Sequence, residues 1–331
     1  MTILAGIDIG GTKCAVCLGK VNGSEVEIIL KRRFSTPSSP SKALAMIQAA
    51  LEEILTECEV DNQLKAIGIS CGGPLDSRNG LILSPPNLPT WDRVNVISPL
   101  REVFGVPTGL QNDANACALA EWQWGAGRGF NNIVFLTFGT GMGSGLILNG
   151  RLYSGTNDMA GEVGHVRLEP DGPTGYGKPG SFEGYCSGGG IAQLARSMAA
   201  EQIQRGKPPL FCPSLDNLAD LSAASVAEAA SQGDALAIEI FELVGRQLGR
   251  GLAVLVDILN PERIIIGSIY TRQQALLETS TLKSLREEAL PQSLSVCRVV
   301  PADLGEAVGD LASLSVGLIT LQQWQQSEEK S

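Results

Sequence analysis

The chain has 331 residues, of which 44% are apolar, so it is long enough for two α/β domains with complete hydrophobic cores. Its formal net charge of −10 argues against a nucleic-acid-binding surface. No apolar run reaches the ~20 residues of a membrane span, no secretory signal is visible and the eight cysteines are scattered. We therefore expect free thiols, a cytoplasmic location and no membrane partner.

The patterns along the chain predict alternating strands and helices. The N-terminal part is expected to contain strands and turns over 3–35, a Ser/Pro linker from Ser35 to Pro40, an amphipathic helix over 41–58, a buried strand from Leu64 to Cys71, a loop from Ser84 to Pro89 and a helix from Ala114 to Trp124. The remainder is expected to contain an irregular segment over 155–189, helices from about 190, a strand from Arg263 to Gly267 and a tail helix over about 306–326. This alternation is typical of an α/β fold, here in two lobes.

Two stretches share one pattern, in which a strand-like apolar run meets a glycine-threonine turn and a second apolar run follows. The first extends from Ile7 to Leu18 and the second from Val134 to Leu148. Glycine in such a turn permits positive φ and lets a bulky anion approach the backbone N–H groups. The repetition indicates a duplicated domain that holds a polyphosphate between its halves, as in a nucleotide-dependent enzyme. Neither stretch matches GxxxxGKS/T, which disfavours the ordinary P-loop fold.

Asp8 lies just before the first glycine turn. A carboxylate beside a phosphate site can hold Mg²⁺, directly or through water, because hard cations prefer oxygen ligands. The alternative is an aspartate on the polar face of a strand, and the presence of the second turn favours the magnesium role.

Asn112 and Asp113 come directly before a predicted helix. In the simplest interpretation one of them caps the helix N-terminus. In the catalytic interpretation Asp113 is the general base that takes the proton from a substrate hydroxyl as it attacks the γ-phosphorus, since phosphoryl transfer depends on positioning. Both can hold together, with Asn112 capping or binding while Asp113 reacts.

The irregular segment carries Glu162, His165 and Glu183 among glycines. Carboxylates and imidazole are common hydrogen-bond partners of sugar hydroxyls, and the alternatives are solvated glutamates and a structural histidine. A closed zinc site is not expected, because His165 is the only histidine in the chain. Cys14 and Cys17 have CxxC spacing but point to opposite faces of a strand.

Taken together, these motifs resemble the ROK family (repressors, open reading frames and sugar kinases). The family has a two-lobed actin-like/ribonuclease H-like ATPase fold with the active site in the interdomain cleft. The resemblance covers nearly the whole chain and rests on five motifs in the family's order: Asp8–Lys13, Pro86–Leu88, Asn112–Ala116, Gly139–Gly145 and Gly161–His165. Each motif alone is a weak signal, but five in the right order are a strong one.

The resemblance implies roles for individual residues. Asp113 would be the catalytic base for the sugar hydroxyl, and Asp8 would hold Mg²⁺. The implied sugar-binding residues are Gly72, Gly73, Asn87, Asn112, Glu162, His165 and Glu183. The implied ATP-binding residues are Asp8, Gly10, Gly11, Thr12, Lys13, Thr140, Gly141 and Gly267. The implied lobes are a smaller one, of residues 1–116 with the tail helix over about 306–326, and a larger one, of residues 117–305.

The sequence departs from the family pattern at two places. The family usually carries CxCGxxGC before its last sugar-binding glutamate, where three cysteines and the histidine hold a structural zinc. Here the stretch from Thr174 to Ser181 has no cysteine, and Cys186 is off the pattern. Zinc should therefore be absent, with packing around Tyr176, Pro179 and Phe182 ordering the segment. The second departure is Gly267-Ser268, where the family often has consecutive glycines beside the adenosine.

The resemblance implies an ATP- and Mg²⁺-dependent kinase that phosphorylates a hexose or N-acetylhexosamine, often at the 6-hydroxyl, and that forms a homodimer. The alternative is a non-catalytic sugar-binding or regulatory relative. Repressors of the family carry an N-terminal DNA-binding domain, whereas here the first phosphate motif begins within ten residues of Met1, so we expect no nucleic-acid partner. Asp113 and both glycine turns favour catalysis.

Overall fold

The computed structural model describes residues 1–60 and 62–329, with the backbone alone for residue 306. The strands in chain order are β1 (Thr2–Ile9), β2 (Lys13–Asn22), β3 (Glu25–Ser35), β4 (Leu64–Cys71), β5 (Leu75–Asp76), β6 (Leu81–Leu83), β7 (Asp92–Asn95), β8 (Thr108–Asn112), β9 (Ile133–Phe138), β10 (Met142–Leu148), β11 (Arg151–Leu152), β12 (Thr174–Gly175), β13 (Lys178–Pro179), β14 (Arg263–Ile266) and β15 (Arg298–Pro301). The helices in chain order are α1 (Pro40–Glu57), α2 (Ile97–Phe104), α3 (Asp113–Trp124), α4 (Phe182–Tyr185), α5 (Gly188–Gln204), α6 (Ala223–Ser231), α7 (Ala235–Leu259), α8 (Ile269–Arg272), α9 (Gln274–Glu288), α10 (Pro291–Val296) and α11 (Val308–Glu328). None of the helices in the described residues combines the length and the apolar composition that a membrane crossing requires.

The chain divides into two compact units. The first unit comprises Met1–Phe130, Gly145–Ala160 and the residues from Asp303 onward. The second comprises Asn131–Ser144 and Gly161–Ala302. The predicted lobes divide at 116/117, a position that lies inside the continuous helix α3, and the first unit instead extends through the whole of that helix.

The first unit is built on a five-stranded sheet in the order β3-β2-β1-β4-β8. The first three strands are antiparallel, as the strand-turn-strand pattern predicts, whereas β4 and β8 run parallel to β1. The parallel register places Asp8 opposite Ser70 and Cys71 opposite Asn112. The carboxyl ends of β1, β4 and β8 therefore meet at one edge of the sheet, where ligands commonly bind in α/β folds.

Helices α1 and α11 cover opposite faces of this sheet. Ile47 and Leu51 of α1 are fully buried in the same core as Ile7 of β1. Gly6 is the neighbour of Ile7 along the strand and so points to the other face. A Cβ built on Gly6 would lie 2.3 Å from the Ser313 Oγ of α11, so this close helix-strand packing requires glycine.

The second unit contains the parallel strands β9, β14 and β15, in which Arg263 lies opposite Ile133 on one side and Arg298 on the other. The 25-residue helix α7 packs along α9. Their approach is close, because a Cβ on Gly249 would lie 2.4 Å from the Thr281 carbonyl oxygen. The turn after β9 and the segment over 161–181 belong to this unit.

Most predicted elements are confirmed, with small shifts at their ends. β4 has the predicted bounds, and α1 begins at Pro40 where residue 41 is predicted. The tail helix begins at Val308, two residues later than predicted. The segment over 155–189 is irregular, as predicted, apart from the hairpin of β12 and β13, two short helical pieces and the first residues of α5.

Candidate active site

Several predicted site residues meet at the carboxyl edge of the first unit's sheet. A Cβ built on Gly72 would lie 3.5 Å from Asn87 Oδ1 and 4.0 Å from Asp113 Oδ2. A Cβ on Gly73 would lie 3.0 Å from Asn112 Nδ2. The two glycines therefore keep side-chain atoms away from the polar groups of the two asparagines and the aspartate.

Asn112 and Asp113 share the N-terminus of α3. Asn112 is the N-cap, and its Oδ1 accepts a hydrogen bond from the Ala114 N–H at 2.9 Å. Asp113 Oδ1 accepts from the same N–H at 2.8 Å. The Asp113 side chain remains accessible to solvent, yet the protein atoms packed around it raise its pKa by desolvation, against the lowering effect of the backbone hydrogen bonds. The capping role of Asn112 is confirmed, and the catalytic role of Asp113 stays a prediction.

The first glycine turn joins β1 to β2. The Gly10 N–H donates to the Lys13 carbonyl oxygen at 3.1 Å. A Cβ on Gly11 would lie 2.5 Å from the Asn87 carbonyl oxygen, so the loop that carries Asn87 packs directly on the turn. Thr12 and Lys13 are exposed. The structure thus brings the predicted phosphate turn and the predicted sugar loop together within the first unit.

Asp8 is half-buried at the end of β1, and its surroundings raise its pKa to about 6. Burial is the largest cause, and the negative charges of Asp113 and Asp310 add to it. Lys31 and Arg33 act in the opposite direction, although Lys31 is already ion-paired with Asp310. A burial cost and like charges both favour a cation beside this carboxylate, so the site fits Mg²⁺.

Arg33 and Asp310 are not among the predicted site residues. Strand pairing places Asp8 opposite Ala15 and Ala15 opposite Arg33, so the three side chains line up across one face of the sheet. The small Ala15 leaves room between the two charged groups. The register of the β2–β3 hairpin could have indicated Arg33 from the sequence. Asp310 comes from α11, about 300 positions further along the chain, and no local pattern indicates it.

The second glycine turn, with Thr140 and Gly141, joins β9 to β10. Within it the Gly139 N–H donates to the Gly141 carbonyl oxygen at 3.0 Å. Glu183 of α4 holds the turn, because its Oε2 accepts from the Met142 N–H at 3.0 Å. A Cβ on Gly141 would lie 2.8 Å from the same oxygen. Glu183, which is predicted to bind sugar, thus accepts a hydrogen bond from the turn that is predicted to bind phosphate.

Glu162 precedes a short 3₁₀ helix, Val163–His165, and His165 is its last residue. Both side chains are exposed. Gly164 of this helix packs on Glu183, since a Cβ there would lie 3.2 Å from the Glu183 Cβ. The His165 ring meets the Tyr176 ring edge-on, with centroids 6.4 Å apart. The three predicted sugar-binding residues of the second unit therefore share one neighbourhood.

Hydrogen bonds order the segment that lacks the family's cysteines. Gln193 of α5 bonds to the Thr174 backbone twice: its Oε1 accepts from the N–H and its Nε2 donates to the carbonyl oxygen, both at 2.9 Å. Lys178 Nζ donates to the His165 carbonyl oxygen at 2.7 Å. The buried Ser181 caps α4 by accepting from the Gly184 N–H at 3.0 Å. In the part of the chain that the structure describes, no group of three or more His, Cys, Asp or Glu side chains could hold a metal ion.

The predicted packing of this segment is confirmed for Phe182 and wrong for Tyr176 and Pro179, which are exposed. Phe182 is buried against α7, where a Cβ on Gly251 would lie 2.4 Å from its ring. Tyr176 is 77% exposed, because it lies in the tight turn between β12 and β13 with a φ of 44°.

A cavity of about 830 Å³ adjoins the second glycine turn. Its lining includes Gly139, Thr140, Gly188, Gly189, Ser268 and Arg272. Gly267, a predicted ATP-binding residue, is buried, and a Cβ built on it would lie 3.5 Å from the Phe135 ring. The next residue, Ser268, lines the cavity. Gly188 and Gly189 are the first residues of α5, and Ser187 is its N-cap. They begin a run of three glycines, a sequence signal for this site that was not among the predicted motifs.

Comparison with known proteins decides the family. The sequence profile of the ROK family matches residues 4–314. The chain belongs to the ROK family. The predicted family and the predicted α/β fold of the actin-like ATPases are thereby confirmed.

This ROK chain is 32% identical to a glucokinase of Thermotoga maritima over 314 residues, which are 95% of the chain and 96% of that protein. The crystal structure of a ROK family glucokinase from Streptomyces griseus, in complex with glucose and AMPPNP, is 29% identical with a TM-score of 0.73, over 96% of this chain and 99% of that one. The DNA-binding regulator NagC of Escherichia coli is 26% identical over 86% of this chain and 69% of its own length.

Proposed function

We propose that this ROK protein transfers the γ-phosphate of ATP to a hexose or N-acetylhexosamine, with glucose as the first candidate and the 6-hydroxyl as the acceptor. The observation that carries the proposal is the convergence of Gly72, Gly73, Asn87, Asn112 and Asp113 at one sheet edge. Such an edge offers amide groups for sugar hydroxyls and an accessible carboxylate for a proton. Similarity to glucokinases supports the same substrates.

In the proposed reaction Asn87 and Asn112 orient the sugar, and Asp113 accepts the proton of the attacking hydroxyl. The oxygen–phosphorus bond to the sugar forms as the bond to ADP breaks, and ADP leaves. Desolvation raises the pKa of Asp113, which strengthens the carboxylate as a base. Glu162, His165 and Glu183 of the second unit would be further sugar-binding residues, as the family resemblance implies. An active site in the interdomain cleft stays a prediction.

Backbone N–H groups of the two glycine turns would meet the phosphates of ATP. Lys13 and Arg33 line a cavity of about 210 Å³ with Asp8 and would supply positive charge, which a chain of net charge −10 must provide locally. Asp8 would hold Mg²⁺, directly or through water, and the ion would offset charge on the phosphate oxygens. The cavity of about 830 Å³ in the second unit has the size of a small-ligand site and would take the nucleoside.

The test is ADP release from Mg·ATP across a panel of glucose, mannose, fructose, N-acetylglucosamine and N-acetylmannosamine in chelator-treated buffer. Turnover with one of these sugars would support the kinase, name its substrate and show that free zinc is dispensable. A folded protein that binds ATP and sugar without releasing ADP would contradict the proposal and favour a non-catalytic sugar-binding or regulatory relative. The same preparation, studied by light scattering, tests the predicted homodimer.

A further inference from the structure

A second cavity, the arginine cavity, lies within the first unit. It has a volume of about 700 Å³, and no residue predicted for the active site lines it. The lining residues that matter here are Arg78, Arg101, Arg151, Gln322, Gln323 and Gln326. The fold brings them together from four places in the sequence: the β5–β6 turn, α2, β11 and the C-terminal half of α11.

The arginine cavity concentrates positive charge, and Asp76, the carboxylate that interacts electrostatically with Arg78, lies outside the lining. Arg78, Arg101 and Arg151 form no ion pair with any residue that the structure describes. Among the described residues no aspartate or glutamate lines the cavity, although acidic residues outnumber basic ones by 35 to 25 in the chain. The carboxylate bound to a lining residue is that of Asp158, and both its oxygens are engaged by Ser77, at 2.8 Å from the N–H and 2.9 Å from the hydroxyl.

The guanidinium groups indicate the kind of anion. Arginine binds phosphate through paired N–H donors, and three arginines from separate elements can surround one phosphate from several sides. A single surface arginine would attract any anion weakly. Three exposed arginines that line one cavity together favour a ligand with at least two negative charges.

The glutamines indicate the rest of the ligand. Gln322, Gln323 and Gln326 are exposed on α11, and their side chains make no hydrogen bond within the described residues. A side-chain amide both donates and accepts, which suits hydroxyl groups. We propose that the arginine cavity binds a phosphorylated sugar, at a site separate from the candidate active site. The inference rests on the lining chemistry and does not depend on the proposed kinase activity.

The test is calorimetric titration of the full chain with glucose 6-phosphate, and separately with inorganic phosphate. Excess glucose is present throughout, so that a sugar-binding active site is already filled. The triple variant R78Q/R101Q/R151Q is compared with the control triple variant R205Q/R246Q/R286Q, which changes exposed arginines of the second unit. Unfolding midpoints equal to that of the wild type establish that each variant is folded, and R151Q alone replaces the triple variant if it is not.

We expect the wild type and the control to bind glucose 6-phosphate alike, and R78Q/R101Q/R151Q to bind it at least about 100-fold more weakly, since each lost charged hydrogen bond lowers affinity about tenfold. The variant Q322A/Q326A should weaken binding of glucose 6-phosphate and leave that of inorganic phosphate unchanged.

Equal binding by R78Q/R101Q/R151Q and the control would overturn the site, as would no binding to the wild type at about 1 mM. Equal affinity of the wild type for inorganic phosphate and glucose 6-phosphate would overturn the assignment to a phosphorylated sugar. Because the readout is binding, these outcomes differ from a failure of the kinase assay.

Discussion

Asp113 lies in the first turn of α3, where the helix dipole favours negative charge. The protein atoms packed around it disfavour the charged form of its carboxyl group. Although the side chain is accessible to solvent, desolvation by the surrounding protein outweighs the backbone hydrogen bonds and raises the pKa of the carboxyl group. Replacement by asparagine keeps an oxygen that can accept from the Ala114 N–H and removes the base. We expect Asp113→Asn to lower kcat by about 10²–10⁴-fold while glucose binding survives, as measured by steady-state kinetics and calorimetry. Near-normal turnover would remove Asp113 from the mechanism.

The same raised pKa predicts a pH dependence of stability. A carboxyl group whose pKa is higher in the folded than in the unfolded protein binds its proton more tightly when folded, so its contribution to stability is full below the unfolded-state pKa and is lost as pH rises through the folded-state pKa. Asparagine does not titrate. Asp113→Asn should therefore raise the unfolding temperature relative to the wild type at pH 7 more than at about pH 4. A difference that is independent of pH would show that desolvation of this carboxylate does not matter to stability.

Arg33 offers a second test at single-residue scale. Its neighbour Arg32 points to the opposite face of β3, where it is ion-paired with Glu57, and is a matched control. We expect Arg33→Gln to raise the KM for ATP about tenfold, because positive charge beside the phosphates is lost, and to change the KM for glucose little. Arg32→Gln should change neither constant. Equal effects of the two substitutions would contradict a specific role for Arg33.

At the scale of elements, the hairpin of β12 and β13 depends on α5 through the two hydrogen bonds of Gln193 to Thr174. Gln193→Ala should loosen the hairpin and, with it, the segment between His165 and Glu183. We expect the KM for sugar to rise about fivefold to tenfold and the KM for ATP to rise less, since two hydrogen bonds are lost. Gln204→Ala, at the exposed end of the same helix, is the control. Restoration of the wild-type KM by added zinc would contradict an order maintained by hydrogen bonds.

The elements also show what could be predicted from the sequence. β4 and α3 are long and strongly patterned, and their predicted bounds fall within one residue of the structure. The strands β5, β6 and β7 have two to four residues each, too few for alternation to be visible, and none of them is predicted.

The residues of the candidate site likewise fall into those that a local sequence pattern predicts and those that only the fold brings together. Both glycine turns and Asn112-Asp113 are local patterns and are found from sequence. Arg33 reaches Asp8 through strand register, and Asp310 reaches it through the packing of α11. The hairpin register could have indicated Arg33, whereas spacing along the chain carries no trace of the proximity of Asp310 to Asp8.

At the scale of the whole chain, the polypeptide leaves the first unit for the last time at Ala160 and returns to it at Asp303, where the returning segment must be attached. Glu121 makes the connection: its buried carboxylate accepts from the Ala126 N–H at 2.8 Å, the Asp303 N–H at 3.0 Å and the Leu304 N–H at 3.1 Å. Glu121→Ala would remove the acceptor of all three backbone N–H groups at once.

We expect Glu121→Ala to lower the free energy of unfolding by about 3 kcal/mol or more, as measured by urea denaturation. Glu121→Gln keeps the shape and one acceptor oxygen, so its loss should be smaller. Equal stability of wild type and Glu121→Ala would show that the return of the chain at Asp303 is held by other contacts.

The bond from the Met142 N–H to Glu183 Oε2 has a kinetic consequence. In the proposed kinase, one carboxylate would meet the sugar with its other oxygen while it holds the turn that meets the nucleotide. Each substrate would then bind more tightly in the presence of the other, and thermodynamic linkage requires the two enhancements to be the same factor. Such synergy favours the ternary complex over the enzyme with ATP alone, which limits the hydrolysis of ATP when sugar is scarce.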